Sequence, residues 1–179
     1  MVLDKKIHGK YVTLRSVNED DAEITMQLRQ NKDKTRFLHH VDSDIKQQLR
    51  WIKEQMEREG DYFFAVIDQS EAVIGTMGIY EIEGDKGHIG RLLMYGNAIQ
   101  SYEAYLLLIC FGFETLGLRE LYGDTDINNT TAMRFSQMFG FQYKKPVYDE
   151  ELNRDVCYCS LIEKDFELCR KKLDRMIYR

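Results

Sequence analysis

The stretch SYEAYLLLICFGFETLGLRELYGDTD, residues 101–126, decides the fold because it links an apolar helix directly to a strand. Its first part, residues 101–116, has a broad apolar face and predicts a helix that Gly117 ends. Residues 119–126 then predict a strand. A single helix between two strands of one sheet makes a parallel crossover. We therefore expect one parallel pair in the sheet.

Three strand-like runs precede this helix, separated by loops of hairpin length. They are residues 62–68 (YFFAVID), 73–82 (VIGTMGIYEI) and 88–95 (HIGRLLMY). Such loops predict antiparallel pairing. Residues 10–15 predict an earlier strand, and two helices follow it. The first helix is opened by Ser16 or Asn18, and the second has the apolar stripe Ile45, Leu49, Ile52 and Met56.

Downstream, Asn128 or Asn129 caps a helix that ends near residue 140. Residues 141–148 and 156–162 predict two strands, and a terminal helix starts at Glu163. The predicted fold class is α/β (α+β). It is a mixed, mostly antiparallel, twisted sheet of six to seven strands with helices on both faces. Where two neighbouring strands stop pairing and splay, we expect a cleft that can hold a ligand.

Composition narrows the functional class. The chain has 179 residues, which predicts a single domain over residues 1–179, with 44% apolar and 31% charged residues and a net charge of −5. No apolar run approaches the ~20 residues needed to span a bilayer, and the N-terminus lacks a signal-peptide pattern. We expect a cytoplasmic protein that binds neither membrane nor nucleic acid. The basic cluster near the C-terminus suits the solvated face of a helix better than a phosphate-binding patch.

The cysteines predict no metal site. Cys157 and Cys159 fall on one face of a predicted strand, and Cys110 lies in an apolar helix. Neither place offers further thiolates or histidines at ligand spacing. We expect reduced, structural cysteines.

Three local motifs resemble one known family. Leu14-Arg15, followed by residues 18–21 (NEDD), resembles the opening of acetyltransferases that act on ribosomal-protein N-termini and polyamines. Residues 113–118 (FETLGL) and the series from Asn129-Thr130-Thr131-Ala132 to Phe139-Gly140-Phe141 resemble two later motifs. With the element order, the chain resembles the Gcn5-related N-acetyltransferase (GNAT) superfamily over essentially its whole length.

The resemblance implies acetyl-CoA as co-substrate and an amine as acceptor. It places the cofactor against the backbone of one strand, the start of the central helix and one asparagine. The cofactor-binding residues that it implies are Leu92, Leu93, Met94, Asn97, Ile99, Gln100, Ser101, Tyr102 and Asn129. The family's glycine-rich pyrophosphate loop is degenerate here, since only Gly96 remains of it. Family members often dimerise, so a homodimer is compatible with the resemblance.

Catalysis needs a group that accepts the amine proton and one that acts at the leaving sulfur. Glu81 and Glu83 share one face of a predicted strand beside the cleft and are the candidate bases, with a solvated hairpin end as the alternative. Ser136 stands where many relatives have a tyrosine, and it either orients the sulfur or faces solvent. The candidate acceptor-binding residues are His39, His40, His88 and Arg91.

Several alternatives stay open. Arg91 could equally extend from a sheet edge to solvent, and Asn129 could be only a helix cap. The acceptor could be a polyamine, an amino sugar (free or nucleotide-linked), an aminoglycoside or a protein N-terminus. The altered loop and the missing tyrosine leave a second functional class, a non-catalytic acyl-CoA-binding or regulatory module.

Overall fold

A computed structural model describes residues 1–31, 35–37, 44–150 and 153–179. Within those ranges the chain forms one sheet of nine strands. The strands are β1 (Ile7–His8), β2 (Val12–Ser16), β3 (Tyr62–Asp68), β4 (Val73–Glu83), β5 (Lys86–Met94), β6 (Glu120–Asp126), β7 (Gln142–Tyr143), β8 (Val147–Asp149) and β9 (Arg154–Ile162).

Five α-helices accompany the sheet in the described part of the chain. They are α1 (Ala22–Gln30), α2 (Ile45–Glu57), α3 (Ala98–Cys110), α4 (Thr130–Gln137) and α5 (Glu163–Ile177). Asn18 caps a short 3₁₀ turn that leads into α1. A π-helical turn, Phe111–Thr115, extends α3, and Gly117 ends it with a φ of 69°. None of the described helices is long and apolar enough to cross a membrane.

The sheet is mixed and mostly antiparallel, as predicted. Its strand order is β1-β2-β3-β4-β5-β6-β9-β7, and β8 also pairs with β9. Only β5 and β6, the strands joined by α3, run parallel among the described pairs. That confirms the crossover. Their pairing covers just Lys86–His88 against Glu120–Tyr122, so the two strands separate beyond that point.

The predicted count of six to seven strands is wrong, for two physical reasons. Ile7–His8 is too short for an alternating pattern to be recognised in the sequence. The predicted strand over residues 141–148 divides into β7 and β8 around Pro146. A proline has no N–H to give to a sheet ladder, and the chain bulges there before it pairs with β9 again.

Helices cover both faces of the sheet, as predicted. On one face, α3 and α5 pack on a core that includes Phe64, Met77, Leu121 and Leu161. On the other face, α1 and α2 bury a smaller core around Phe63 and Ala65. Successive residues of β3 therefore point into different cores, as the two-residue period of a strand requires.

One carboxylate ties α3 to the first hairpin. Glu103 is fully buried and accepts hydrogen bonds from the backbone N–H groups of Lys10, Tyr11 and Val12 at 2.6–2.8 Å. Its carboxylate leaves no room at Gly9, where a Cβ atom would lie 2.5 Å from the Glu103 side chain. Glu103 thus fixes the start of α3, which borders the splayed strands.

Candidate active site

A cavity of about 420 Å³ opens where β5 and β6 separate. The strands are last paired at His88 and Tyr122, and the next residue of β6 is Gly123. A Cβ atom at Gly123 would lie 3.0 Å from the carbonyl oxygen of Ile89, so glycine permits the close approach from which the strands diverge. The predicted cleft between splayed strands therefore exists at the parallel pair.

The cavity passes through the sheet, because alternate residues of β6 line it on opposite faces. On the side of α3 and α4 its walls include Tyr105, Thr125, Phe135, Ser136, Tyr143 and Cys159. On the side of α1 and α2 they include Arg29, Tyr80, Glu81, His88, Asp124 and Asp126. We call these two regions the α3 side and the α1 side. Two reactants could thus approach one point from opposite faces of the sheet.

A β-bulge in β5 borders the cavity. Gly78 pairs with Gly90 and Thr76 pairs with Leu93, so Arg91 and Leu92 together face one residue of β4. Arg91 has a φ of 53°, in the left-handed region that is strained for a non-glycine residue. Bulges turn the local backbone away from the regular ladder. Here that redirects the peptide groups around Leu92 beside the cavity.

On the α1 side, His88 lies between two carboxylates. Its Nε2 atom is 3.4 Å from Asp124 Oδ1, and its Nδ1 atom is 3.3 Å from Glu81 Oε2. The hydrogen bond from His88 lowers the pKa of the Asp124 carboxyl below its usual value. The ring stacks on Tyr122 with centroids 5.2 Å apart and also contacts Tyr80. These contacts hold the imidazole at the point where β5 and β6 separate.

The Nδ1 atom of His88 is buried and has no aligned hydrogen-bond partner among the described residues. The Glu81 carboxylate is near enough for an ion pair but is not aligned for a hydrogen bond. When Asp124 accepts the Nε2 proton, a neutral imidazole presents the Nδ1 lone pair. This nitrogen and Glu81 can therefore both accept a proton on the α1 side.

A second bulge separates the two predicted bases. Tyr80 pairs with His88 and Glu83 with Lys86, which leaves two residues of β4 opposite one of β5. Glu81 takes a φ of 49° at this bulge. Both carboxylates are exposed, but Glu81 lines the cavity, whereas Glu83 lies at the end of the hairpin and is not part of the cavity wall. The regular alternation that would put both on one face is interrupted here.

Arg91 lines the cavity but already has a charged partner. Its guanidinium forms a two-pronged ion pair with Asp61, which is only 2% exposed. It also lies over the ring of Tyr80, 4.0 Å from the centroid, and close to Trp51. This arrangement fixes the bulge of β5. The sequence had suggested a substrate anion or bulk solvent as the surroundings of the Arg91 side chain, and the structure instead gives it Asp61 as a partner.

On the α3 side, three hydroxyl groups meet. The Tyr143 hydroxyl is 2.7 Å from Ser136 Oγ and 3.2 Å from Thr125 Oγ1. Ser136 also donates toward the carbonyls of Ala132 and Met133, so it faces the cavity wall and not solvent. Burial raises the pKa of Tyr143 to about 12, and that of the neighbouring Cys159 thiol to about 11. Both groups are therefore protonated at neutral pH.

The start of α3 is closed by a capping box. The Asn97 side chain accepts from the Gln100 N–H at 3.0 Å, and the Gln100 side chain accepts from the Asn97 N–H at 2.9 Å. Ser101 Oγ donates to the Asn97 carbonyl, and Tyr102 stacks on Phe135. The amide groups most exposed to a ligand at this helix start are thus those of residues 98 and 99.

The residues that the resemblance assigns to the cofactor divide between the cavity and its surroundings. Leu92 and Asn129 line the cavity. Asn129 is also a cap, since its side chain accepts from the Ala132 N–H at 3.2 Å. Leu93 is buried in the sheet, Met94 ends β5, and Asn97, Ile99, Gln100, Ser101 and Tyr102 lie at the start of α3 beyond the described wall.

Two of the predicted site residues lie outside the described part of the chain, and two residues of the cavity were not predicted. His39 and His40 lie outside the described residues. Sequence reasoning missed Asp124, which follows the parallel pair, and Tyr143, whose hydroxyl arrives from β7. Asp124 could have been found from its place on the strand after the crossover. Nothing local in the sequence marks Tyr143, because its contacts to Ser136 and Thr125 join three separate elements.

Comparisons with known proteins agree with the fold. Residues 12–142 match the family model described as "Acetyltransferase (GNAT) domain". An uncharacterized N-acetyltransferase, p20 of Bacillus licheniformis, is 23% identical over 175 residues, which are 89% of this chain and 97% of that protein.

Two solved structures are similar in fold. A GCN5-related N-acetyltransferase from Brucella melitensis has a TM-score of 0.82 at 19% identity and covers 98% of this chain and 86% of its own. Apo FdhC, described as a nucleotide-linked sugar GNAT, has a TM-score of 0.82 at 22% identity, and the match covers 98% of this chain and 99% of FdhC. At such identities the likeness shows the fold alone.

Proposed function

Because the chain belongs to the GNAT acetyltransferase domain family, we propose that it transfers the acetyl group of acetyl-CoA to a primary amine. The cavity that passes through the sheet between β5 and β6 carries this proposal. It offers one reactant access from the α3 side and the other from the α1 side. A direct transfer needs both reactants bound next to each other, and this arrangement permits it.

The residues present fit acetyl-CoA. The open edges of β5 and β6 border an elongated gap, and the seven residues from His88 to Met94 span ~20 Å, enough to hold an extended arm. The helix α3 begins just beyond β5, and a helix start favours phosphate through its dipole and its unpaired N–H groups. In this arrangement the acyl end lies near the bulge and the phosphates lie near residues 97–102.

The bound thioester supplies an electrophilic carbonyl and a leaving thiolate. The redirected backbone at Leu92 offers N–H groups that stabilise negative charge on the carbonyl oxygen. On the α1 side, Glu81 accepts the proton of the amine and His88 provides a second acceptor beside it. Asp124 holds the His88 ring and favours the tautomer with a free Nδ1. Glu83 contributes less, because it lies outside the cavity wall.

The acceptor is an amine from one of the four classes that the sequence allows. Glu81 and Asp124 place negative charge beside His88 that attracts an ammonium group, whereas Asp126 is paired with Arg154 at 3.7 Å. A nucleotide-linked amino sugar is kept among them, because the similarly folded FdhC is described as a nucleotide-linked sugar GNAT. Arg154 on the same wall is a cation that could contact an anionic part of such a molecule.

Two assays test the proposed function. Calorimetry should detect acetyl-CoA binding to the whole protein, and a thiol-release assay with a panel of amines should detect turnover. The panel contains spermidine, an aminoglycoside, a nucleotide-linked amino sugar and a short peptide with a free N-terminus. If acetyl-CoA does not bind at millimolar concentration, the proposed function is wrong.

The second candidate is a non-catalytic acyl-CoA-binding or regulatory module. One observation favours it: the capping box of Asn97 and Gln100 uses N–H groups that a pyrophosphate would otherwise find at this helix start. Binding of acetyl-CoA together with no thiol release for any amine in the panel would support this candidate. Turnover with any of them would exclude it.

A further inference from the structure

We propose that the Tyr143 hydroxyl donates a hydrogen bond to the sulfur of acetyl-CoA as the thiolate leaves, and that Ser136 and Thr125 position this hydroxyl. The inference rests on the proposed function. It assigns the sulfur-side role to a residue of β7, whereas the sequence alone pointed to Ser136 in α4.

The position of Tyr143 supports this assignment. Its hydroxyl lies on the α3 side of the cavity, 3.2 Å from Thr125 Oγ1. Thr125 is in β6, three residues beyond the last parallel pair at Tyr122, where the gap between the strands has opened. Gly123 and Tyr143 both pair with Cys159 of β9, one from each side, so all three residues face the same side of the sheet. Because Gly123 has no side chain, nothing at that position separates the Tyr143 hydroxyl from the gap. A thioester held between β5 and β6 therefore brings its sulfur toward this hydroxyl.

Ser136 can support a hydrogen bond but is poorly placed to make one itself. Its single proton is shared among the carbonyls of Ala132 and Met133 within α4 and the Tyr143 oxygen, so it is already engaged inside the wall. Its oxygen is 2.7 Å from the Tyr143 hydroxyl. When negative charge develops on sulfur, the Tyr143 proton can turn to the sulfur while Ser136 or Thr125 donates to the phenol oxygen. Ser136 is thus a positioning residue.

The proton balance of the transfer does not require Tyr143 to become ionised. The amine lone pair forms the new C–N bond, the C–S bond breaks, and its electron pair stays on sulfur. The amine proton goes to the α1 side, and the thiolate takes a proton from solvent after release. Tyr143 stabilises the thiolate by hydrogen bonding in the interval.

The surroundings of Tyr143 favour a hydrogen-bond donor over a general acid. The groups that face it are Tyr105 of α3, Cys159 of β9, Ser136 and Thr125. Because burial raises its pKa to about 12, the phenol stays protonated throughout the working range of pH. Complete transfer of its proton to a thiolate of ordinary pKa, about 8.5, would be uphill.

The test is a titration of the CoA thiol in its complex with the whole protein, followed by thiolate ultraviolet absorbance between about pH 6 and about pH 10.5. The complex with desulfo-CoA provides the blank. A donor to the thiolate lowers its pKa, so Tyr143→Phe should raise the bound thiol pKa by about one to two units. Ser136→Ala should raise it by less. Tyr148→Phe, which removes an exposed hydroxyl on β8, is the matched control and should leave it unchanged.

Turnover gives a second readout. Tyr143→Phe should lower kcat by about 10- to 100-fold with little change in KM for the amine. The wild-type profile should show no falling limb below about pH 11, because Tyr143 remains protonated. Equal thiol pKa values in wild type and Tyr143→Phe would overturn the inference and leave the proposed function intact. Failure of the wild type to bind CoA would overturn both.

Discussion

Arg91 and Asp61 form a buried ion pair that fixes the bulge beside the cavity. Asp61 is 2% exposed, and it also accepts from Gln55 and from Arg58. The guanidinium of Arg91 holds a backbone conformation with a φ of 53° that an unsupported arginine would rarely adopt. At the scale of single residues, this pair links the stability of the protein to the geometry of its site.

We predict that Asp61→Asn destabilises the protein by about 3–5 kcal/mol, because it leaves the Arg91 charge largely buried without a counter-ion. Urea unfolding followed by circular dichroism measures this loss. Glu19→Gln breaks the exposed pair with Lys53 and should cost less than about 1 kcal/mol. Equal effects of the two substitutions would contradict a structural role for the buried pair.

A second prediction at this scale concerns the proton acceptor. Glu81→Gln should reduce kcat by about 10²–10⁴-fold without weakening acetyl-CoA binding, since it removes a base on the α1 side. Glu83→Gln is the matched comparison on the same hairpin and should lose much less. Steady-state kinetics and calorimetry on both variants separate catalysis from binding. A larger loss of kcat for Glu83→Gln would show that the bulge does not select between them.

At the scale of elements, α3 connects the first hairpin to the splayed strands through Glu103. This carboxylate accepts hydrogen bonds from three backbone N–H groups, those of Lys10 and Tyr11 in the turn before β2 and that of Val12 at its start. Glu103→Gln replaces one acceptor oxygen by an NH₂ group that faces those donors. We expect a loss of about 2–4 kcal/mol in the free energy of unfolding.

Glu114→Gln is the matched control, because Glu114 lies in the π-helical turn that extends α3 and forms an exposed ion pair with Arg170 of α5. Its expected cost is below about 1 kcal/mol. Thermal unfolding of the two variants beside wild type measures the difference. A Glu103→Gln variant as stable as wild type would mean that the three N–H groups find other partners.

At the scale of the whole molecule, the cavity through the sheet predicts direct transfer in a ternary complex. An acetylated enzyme would need a nucleophilic side chain in the cavity, and Cys159 is the thiol on its described wall. Burial raises the pKa of Cys159 to about 11, so this thiol stays protonated and poorly nucleophilic at neutral pH. Initial-rate plots for the two substrates should therefore intersect rather than run parallel.

Mass spectrometry checks the same prediction. Incubation with acetyl-CoA alone should leave the mass of the protein unchanged, and Cys159→Ser should retain turnover. Parallel initial-rate plots together with an acetyl group on Cys159 would contradict direct transfer.

The sequence by itself determined the element order, the single parallel pair and the helices on both faces. These features depend on local periodicity and on the number of residues between elements, which a chain carries in its primary structure. The motifs around residues 113–118 and 129–141 also indicated the family, which the match over residues 12–142 confirms. Glu81, His88 and Ser136 were found as cavity residues because they lie on elements that the pattern located.

Only the tertiary structure decided how those elements meet. The bulges at Glu81 and Arg91 depend on register between strands, and they put Glu81 on the cavity wall while Arg91 binds Asp61. The contact of Tyr143 with Ser136 joins β7 to the preceding helix, α4. Such contacts arise from cross-strand packing and burial, which the local pattern of residue types does not encode.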